Sequence, residues 1–270
     1  MNLLSAVLRK PTAADDKYSR GVVGFVTGSL EYPGAAILGV TAAMRTGVGM
    51  VRWLGPESVG QMLLEVRPEV VLQNGRAQCW VVGSGVSEDA SSDQAKNATE
   101  VLAHGGFAVI DAGALAFLDL RNLAADAVLT PHAGELERLL ARFGESLTRQ
   151  QIEADPTSAA KLAAKLTGQV VLLKGHVTTV ADSTGEVWQT PAASPWLATA
   201  GSGDVLAGVL GALIASNFDQ IQAGTFRLPE VTLAAAMLHA EAGAKAAKVG
   251  PIAALDIAEE IRVVVGGYLA

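Results

Sequence analysis

The chain has 270 residues, half of them hydrophobic and only 5% aromatic, with 20 basic against 27 acidic side chains and a net charge of −7. No basic block or stripe stands out, which speaks against a nucleic-acid or anionic-membrane surface. The single cysteine, Cys79, lies in an apolar run; it allows no internal disulfide and reads as a buried core thiol of a reducing compartment.

The N-terminus MNLLSAVLRKP places its apolar stretch before its basic pair, and that stretch is too short for a signal peptide. Residues 1–18 are expected to form a loosely ordered segment or a helix. No run of about 18 uncharged apolar residues suggests a membrane span, so the expectation is a soluble cytoplasmic protein. VVGFVTG (22–28) reads as a buried strand ending in a glycine turn, and PGAAILGVTAAMRTG (33–47) as a helix opened by Pro33 and stopped by Gly47. Strands follow at 49–55 and 77–85, then a polar-faced helix at 88–104. AVID (108–111) and AVLTP (127–131) are further strands, the second leading into the helix GELERLLARF, with another helix over 156–167. VVLLKG (170–175), TTVAD (178–182) and EVWQT (186–190) read as strands, the last two as a hairpin about Ser-Thr-Gly. Helices fill 203–216, 230–247 and about 255–265.

Strand and helix alternate, and the strands are continuous aliphatic runs. That pattern predicts an α/β protein with a mostly parallel sheet covered on both faces. No repeat, low-complexity tract or long linker interrupts the chain, so residues 1–270 are expected to form one domain. Ligands of such folds sit at the carboxyl ends of the strands. There the sequence places Gly28-Ser29, Gly83-Ser84-Gly85, Asp111, Thr130-Pro131-His132, Lys174-Gly175-His176 and the turn Gly201–Asp204.

Four of these stretches invite chemistry. In AGSGDVLAG (200–208), the amides of Gly201, Ser202 and Gly203 open an apolar helix and form an anion hole. Asp204 stands beside it, where it can take a proton from a hydroxyl. A tight loop with a dipole-matched aspartate is the plainer alternative, but a carboxylate beside an anion hole is electrostatically awkward for structure alone. In VVLLKGHVTTV (170–180), Lys174 at a strand exit can reach phosphate oxygens, or simply turn to water. In TPHAGELERLL (130–140), His132 sits at a strand-to-helix turn, suited to substrate contact or, more plainly, to capping. The small residues of 24–49 leave room for a flat ligand or for close helix–sheet packing.

Taken in order, GSLEYPGAAILGVTAAMRTGVGMV, TPHAGELERL, VLLKGHVT and ATAGSGDVLAGVLGALIA resemble the ADP-dependent NAD(P)H-hydrate dehydratases of the ribokinase-like superfamily, over about Ser19 to Gly267. TPHxGE, KGxxT and GxGDVLAG are specific as a set, whereas GxGD alone marks only the wider superfamily. The resemblance implies a three-layer α/β/α ribokinase-like fold. It implies a repair enzyme that returns hydrated NADH and NADPH to their active forms, with ADP as phosphoryl donor and Mg²⁺ present. By position, Ala35, Gly85, His132 and Asp204 would contact the hydrate. Lys174, Gly175, His176, Val177 and Thr178 would hold the nucleotide, and Gly203 would close its site. No metal-ligating side chain is identified. A homotetramer is implied. The epimerase domain fused to many relatives is not in this sequence, which leaves either a separate epimerase in the same pathway or none.

Two departures stand out. Ser202 occupies a position more usually threonine, and either hydroxyl can serve. GSGVS (83–87) matches its glycine-richer counterpart only loosely. The alternatives are a small-molecule kinase of the same fold, acting on a thiazole alcohol or a sugar, and a non-catalytic nucleotide-binding protein. Joint presence of Asp204, Lys174 and His132 argues against the latter. No Gly-x-Gly-x-x-Gly joins the first strand to a helix, which sets aside an ordinary dinucleotide-binding domain.

Overall fold

The computed structural model describes residues 3–270. Eight strands form one sheet in the order β2-β1-β3-β4-β5-β6-β7-β8. They are β1 (Val22–Val26), β2 (Met50–Trp53), β3 (Cys79–Val82), β4 (Phe107–Ile110), β5 (Asp126–Leu129), β6 (Val170–Leu173), β7 (Thr179–Ala181) and β8 (Val187–Gln189). Neighbours from β2 to β6 pair in parallel. β6–β7 and β7–β8 pair antiparallel, so the hairpin expected about Ser-Thr-Gly forms the sheet's far edge.

Among the described residues twelve α-helices flank it: α1 (Leu3–Val7), α2 (Pro33–Thr46), α3 (Glu57–Val66), α4 (Asp93–Leu102), α5 (Ala114–Phe117), α6 (Ala133–Arg142), α7 (Arg149–Ala154), α8 (Pro156–Thr167), α9 (Ser202–Ser216), α10 (Phe218–Gln222), α11 (Leu228–Ala246) and α12 (Ala254–Leu269). β1, β3, β4 and β6 are buried at every position, as continuous aliphatic strands between two helical layers must be. Val23, Phe25, Val81 and Val109 face one layer, in which α9 meets α2, α11 and α12. Val26, Val82, Ile110 and Leu129 face the other, built from α4, α5, α6 and α8. This is the expected three-layer α/β/α arrangement. Cys79 is fully buried, and burial pushes its thiol above the ordinary range.

α9 is apolar all round because it has no solvent face. A Cβ on Gly211 would stand 2.3 Å from Val81 of the sheet, and one on Gly208 would stand 2.1 Å from the Gly39 carbonyl of α2. The absence of side chains lets α9 lie directly on the sheet and cross α2 backbone to backbone. The two helix N-termini therefore open side by side. β1 has β2 on one side and β3 on the other, so the chain reverses its direction of winding there, and a crevice opens at the carboxyl ends of β1 and β3.

The short helices α3, α5, α7 and α10 have no counterpart in the sequence reading. α7, only six residues long, is held by a reciprocal cap between Thr148 and Gln151 rather than by a long apolar stripe. The beginning of the chain is docked: α1 buries Leu4 and Val7, and Asn217 at the end of α9 donates its amide to the Val7 carbonyl at 3.1 Å. The expectation for 1–18 extends to Met1 and Asn2, which lie outside the described residues. Among the described residues no helix is long and apolar enough to cross a membrane.

Candidate active site

β3, β4, β5 and β6 end side by side, and one carboxylate joins their exits. Asp111, directly after β4 and 2% exposed, accepts from Ser84 Oγ at 2.8 Å and from Thr130 Oγ1 at 2.8 Å. Lys174, directly after β6, donates its Nζ to Asp111 Oδ1 at 2.8 Å and lies 3.5 Å from Glu135 Oε2. Burial penalises both charges, yet their mutual attraction and hydrogen bonds hold the Asp111 carboxyl below its ordinary range and the Lys174 ammonium above its own. The pair is fully ionised at neutral pH.

The mouth of α9 faces this pair. Gly201 takes a left-handed conformation (φ 88°), and a Cβ there would stand 2.5 Å from Leu38 and 3.0 Å from Ala254. Only glycine fits both the conformation and the space. No side chain caps α9, and the amides of Gly203 and Asp204 have no hydrogen-bond partner among the described residues. A Cβ on Gly203 would lie 3.5 Å from Lys174 Nζ, so the ammonium borders these amides. The helix mouth thus combines free donors, the positive end of the helix dipole and a fixed cation, which suits an anion.

Asp204 stands in the first turn of α9. Burial is the first cause that pushes its carboxyl up to about 7; the Asp111 charge adds to the rise, and Lys174 opposes it. A carboxylate so placed gains and loses a proton around neutral pH, as a general base requires.

His132 is the N-cap of α6. Its Nδ1 accepts from the amides of Gly134 and Glu135 at 3.0 and 3.2 Å, while Glu135 accepts from the His132 amide at 2.7 Å. The capping alternative is therefore realised. Burial, ahead of the other causes, holds the imidazole below its ordinary value, so the ring is neutral at pH 7 with its proton on Nε2. Capping occupies Nδ1; Nε2 lies 3.5 Å from Glu135 Oε1, longer than a normal hydrogen bond, and at the cavity wall it can donate to a ligand.

A cavity of about 710 Å³ opens between these groups. Lys174, Gly175, His176, Thr178, Ser202, Gly203 and His132 line it, with Leu197, Leu206 and Ala236 as an apolar wall. Val177 is half-buried beside this stretch and does not line the cavity. Ala35 and Gly85 meet each other elsewhere, in the crevice after β1 and β3: a Cβ on Gly85 would stand 2.6 Å from that of Ala35. α2 carries Ala35 past the mouth of α9, where Gly39 approaches the Asp204 carbonyl to 3.3 Å from its Cβ position. The cavity therefore lies on the Lys174–Thr178 side of the α9 mouth, whereas Ala35 and Gly85 are packed closely against each other at the start of α2.

Known proteins share this architecture. The family model described as NAD(P)H-hydrate dehydratase matches residues 23–262. The chain belongs to that family. It is 32% identical over 243 residues to the ADP-dependent (S)-NAD(P)H-hydrate dehydratase of Neisseria meningitidis, covering 82% of this chain and 80% of that protein. It is 38% identical over 263 residues to the bifunctional NAD(P)H-hydrate repair enzyme of Corynebacterium glutamicum, covering 88% of this chain but 45% of that protein. The chain thus spans about half the length of the bifunctional relatives it matches. In three dimensions it is similar to the ADP/ATP-dependent NAD(P)H-hydrate dehydratase of Bacillus subtilis co-crystallised with ATP and Mg²⁺, with a TM-score of 0.85, 24% identity, and coverage of 98% of this chain and 96% of that one. The fold is the ribokinase-like one expected.

Set against this family's motifs, sequence reasoning missed three features of the site. Asp111 was visible as a strand exit, but no motif marks a residue whose partners come from β3, β5 and β6. Glu135 lies inside TPHAGE, yet its place beside Lys174 appears only when β5 and β6 are adjacent. His239, in the alanine-rich α11, lines the cavity and is paired at 3.2 Å through Nε2 with Ser202 Oγ. Burial drives His239 down to about 4, so its ring is neutral. The available signal was a lone imidazole on the otherwise apolar face of Ala235, Leu238 and Ala242.

Among the described residues, no three His, Cys, Asp or Glu side chains gather into a metal cage. The donors at the α9 mouth are amides and an ammonium, which fit phosphate oxygens. Mg²⁺ commonly binds such sites through phosphates and water rather than through an all-protein cage.

Proposed function

We propose that this protein dehydrates NAD(P)H hydrate to NAD(P)H at the expense of ADP, at the mouth of α9. The observation that carries the reading is Asp204: a carboxyl pushed up to about 7, in the first turn of an uncapped helix, with a fixed ammonium beside it. Family membership supports the substrate class, and the relative from Neisseria meningitidis is named for ADP dependence.

The chemistry follows from the residues. Hydroxide leaves the hydrated ring poorly. Asp204 takes the proton of the ring hydroxyl, whose oxygen then bonds to the terminal phosphorus of ADP while the bond from that phosphorus to the bridging oxygen breaks and AMP departs. The ring phosphate ester next expels inorganic phosphate with push from the ring nitrogen; the adjacent carbon loses a proton, and the ring double bond of NAD(P)H is restored. The free amides of Gly203 and Asp204 would stabilise charge on the transferring group, with Lys174 as a point charge beside them; the Ser202 amide, expected in the anion hole, donates instead to the Thr199 carbonyl at 3.3 Å. Mg²⁺, when bound with the nucleotide, would neutralise phosphate charge.

Gly175, His176 and Thr178, which line the cavity, would hold the nucleotide, with Val177 beside that stretch but outside the lining. Ala35 and Gly85 would contact the hydrate from the start of α2, and His132 Nε2 would donate to it from the cavity wall. The test mixes the protein with hydrated NADH, Mg²⁺ and ADP and follows recovery of reduced-nicotinamide absorbance, with ATP and no-nucleotide controls. Recovery that requires nucleotide and is lost in Asp204→Asn supports the proposal. No recovery with any nucleotide from folded protein overturns it.

A further inference from the structure

The carboxylate that joins the strand exits does not line the cavity, yet every polar group around it adjoins a stretch of the site. Ser84 precedes Gly85 of the crevice, Thr130 precedes the Pro131-His132 turn, and Lys174 opens the stretch to Thr178. All three side chains converge on Asp111, which is 2% exposed. A buried carboxylate with two hydroxyl donors and an ammonium is fully satisfied and cannot swing. Lys174, by contrast, has a long flexible stem, and without a tether its ammonium could move toward Asp204 or toward a bound phosphate.

We propose that Asp111 is the positioning residue of this site: its fixed carboxylate sets where the Lys174 ammonium stands beside Gly203, and so divides that charge between a bound phosphate and Asp204. This rests on the dehydratase reading for its catalytic consequence, but not for its electrostatic one. Asp111 faces Lys174 and, through it, Glu135 on α6; Asp204 faces Asp111 and Lys174. His132 is the remaining titratable neighbour on α6, and His239 behind Ser202 is neutral. Removing the Asp111 charge takes an anion away from Asp204 and leaves Lys174 held only by Glu135 at 3.5 Å, freer to shift toward Asp204. Both changes favour the ionised form of Asp204.

The test needs no substrate. In protein carrying ¹³C-labelled aspartate carboxyls, with Asp204→Asn used to assign the signal, the Asp204 midpoint falls by about one pH unit or more in Asp111→Asn. In Lys174→Met it rises or stays; it does not fall. Titration calorimetry with ADP and Mg²⁺ adds a second readout: Asp111→Asn binds as tightly as the parent or more tightly, because Lys174 is released to the phosphate. If the dehydratase reading holds, kcat of Asp111→Asn drops at least tenfold while KM for ADP does not rise. An unmoved Asp204 midpoint in folded Asp111→Asn overturns the inference, as does nucleotide binding weakened in parallel with kcat, the mark of general structural damage. Absence of dehydratase activity in the parent protein would overturn the functional reading and leave the titration result standing.

Discussion

Lys174 and Asp111 are separated by 63 residues in the chain and meet at 2.8 Å, one at the exit of β6 and the other at the exit of β4. Their meeting puts a fixed cation beside the uncapped mouth of α9. Breaking such a buried pair by removing one partner leaves an uncompensated charge, at a cost of about 3–5 kcal/mol. Lys174→Met is expected to lose stability on that scale in urea titration at pH 7. Asp111 sits below its ordinary value, so its share of stability is present above the unfolded carboxyl value near 3.8 and is lost as pH falls through the folded one. Lys174 is raised, so its share is present below 10.5 and is lost as pH rises through the folded value. The difference in stability between parent and Lys174→Met should therefore shrink in acid.

Asp204 carries the opposite linkage. Its folded value of about 7 lies above the unfolded one, so its protonated form stabilises the fold at low pH, and that contribution is lost as pH rises through 7. Asp204→Asn should raise Tm relative to the parent at pH 8 and leave it nearly unchanged below pH 4. The same substitution should cut kcat by about 10²–10⁴. In the parent, kcat/KM should climb with pH through about 7 as the base ionises. An acid limb that stays in place when Asp204 is replaced would assign the proton transfer to another group.

His132 serves α6 with one nitrogen and is proposed to serve the hydrate with the other. His132→Ala should lose the cap and cost about 1 kcal/mol. His132→Asn keeps a good capping side chain, so its Tm should stay near that of the parent while KM for the hydrate rises. Equal KM in parent and Asn variant would confine His132 to capping.

Gly208 lies a full turn from Asp204, inside the crossing of α9 with α2. A Cβ there would meet the Gly39 carbonyl at 2.1 Å and push the two helices apart. Gly208→Ala should destabilise by about 1–3 kcal/mol or more and lower activity without altering any residue of the helix mouth. Chemical denaturation and the absorbance assay would check both.

His239 anchors Ser202 from α11. Its folded value of about 4 is below that of a free imidazole, so the neutral ring favours the fold above pH 6.5, and this contribution is lost as pH falls toward 4. His239→Phe should remove that acid sensitivity. It should also raise KM for nucleotide, because Ser202 loses its partner at the wall of the cavity. Calorimetric Tm across pH 4–7 would show whether the sensitivity disappears.

Local pattern determined much of this protein. Continuous aliphatic runs identified the strands because a strand covered on both faces has no polar side to show. Pro33 and Gly47 marked the ends of α2 because each suits only one end of a helix. Gly-Ser-Gly-Asp before an apolar helix marked the uncapped start of α9, the proposed anion site, because amide direction and dipole are local properties of a helix start. α10 stayed unread because a five-residue helix carries little periodic signal, and α7 because reciprocal capping is a two-residue cue, whereas ten-residue α3 did carry a legible stripe at Val59 and Leu63.

Tertiary structure decided what those local features do together. Sheet order brought β3 to β6 side by side and so joined Ser84, Asp111, Thr130 and Lys174, none of which signals the others in sequence. The crossing of α2 and α9 over Gly39 and Gly208 brought α2, with Ala35 packed against Gly85, alongside the helix that carries Asp204. Burial moved the Asp204 proton affinity to about 7, a property of its surroundings that no residue type carries by itself. Sequence encodes directions along the chain, whereas charge coupling depends on distances across it, and only the folded sheet sets those distances.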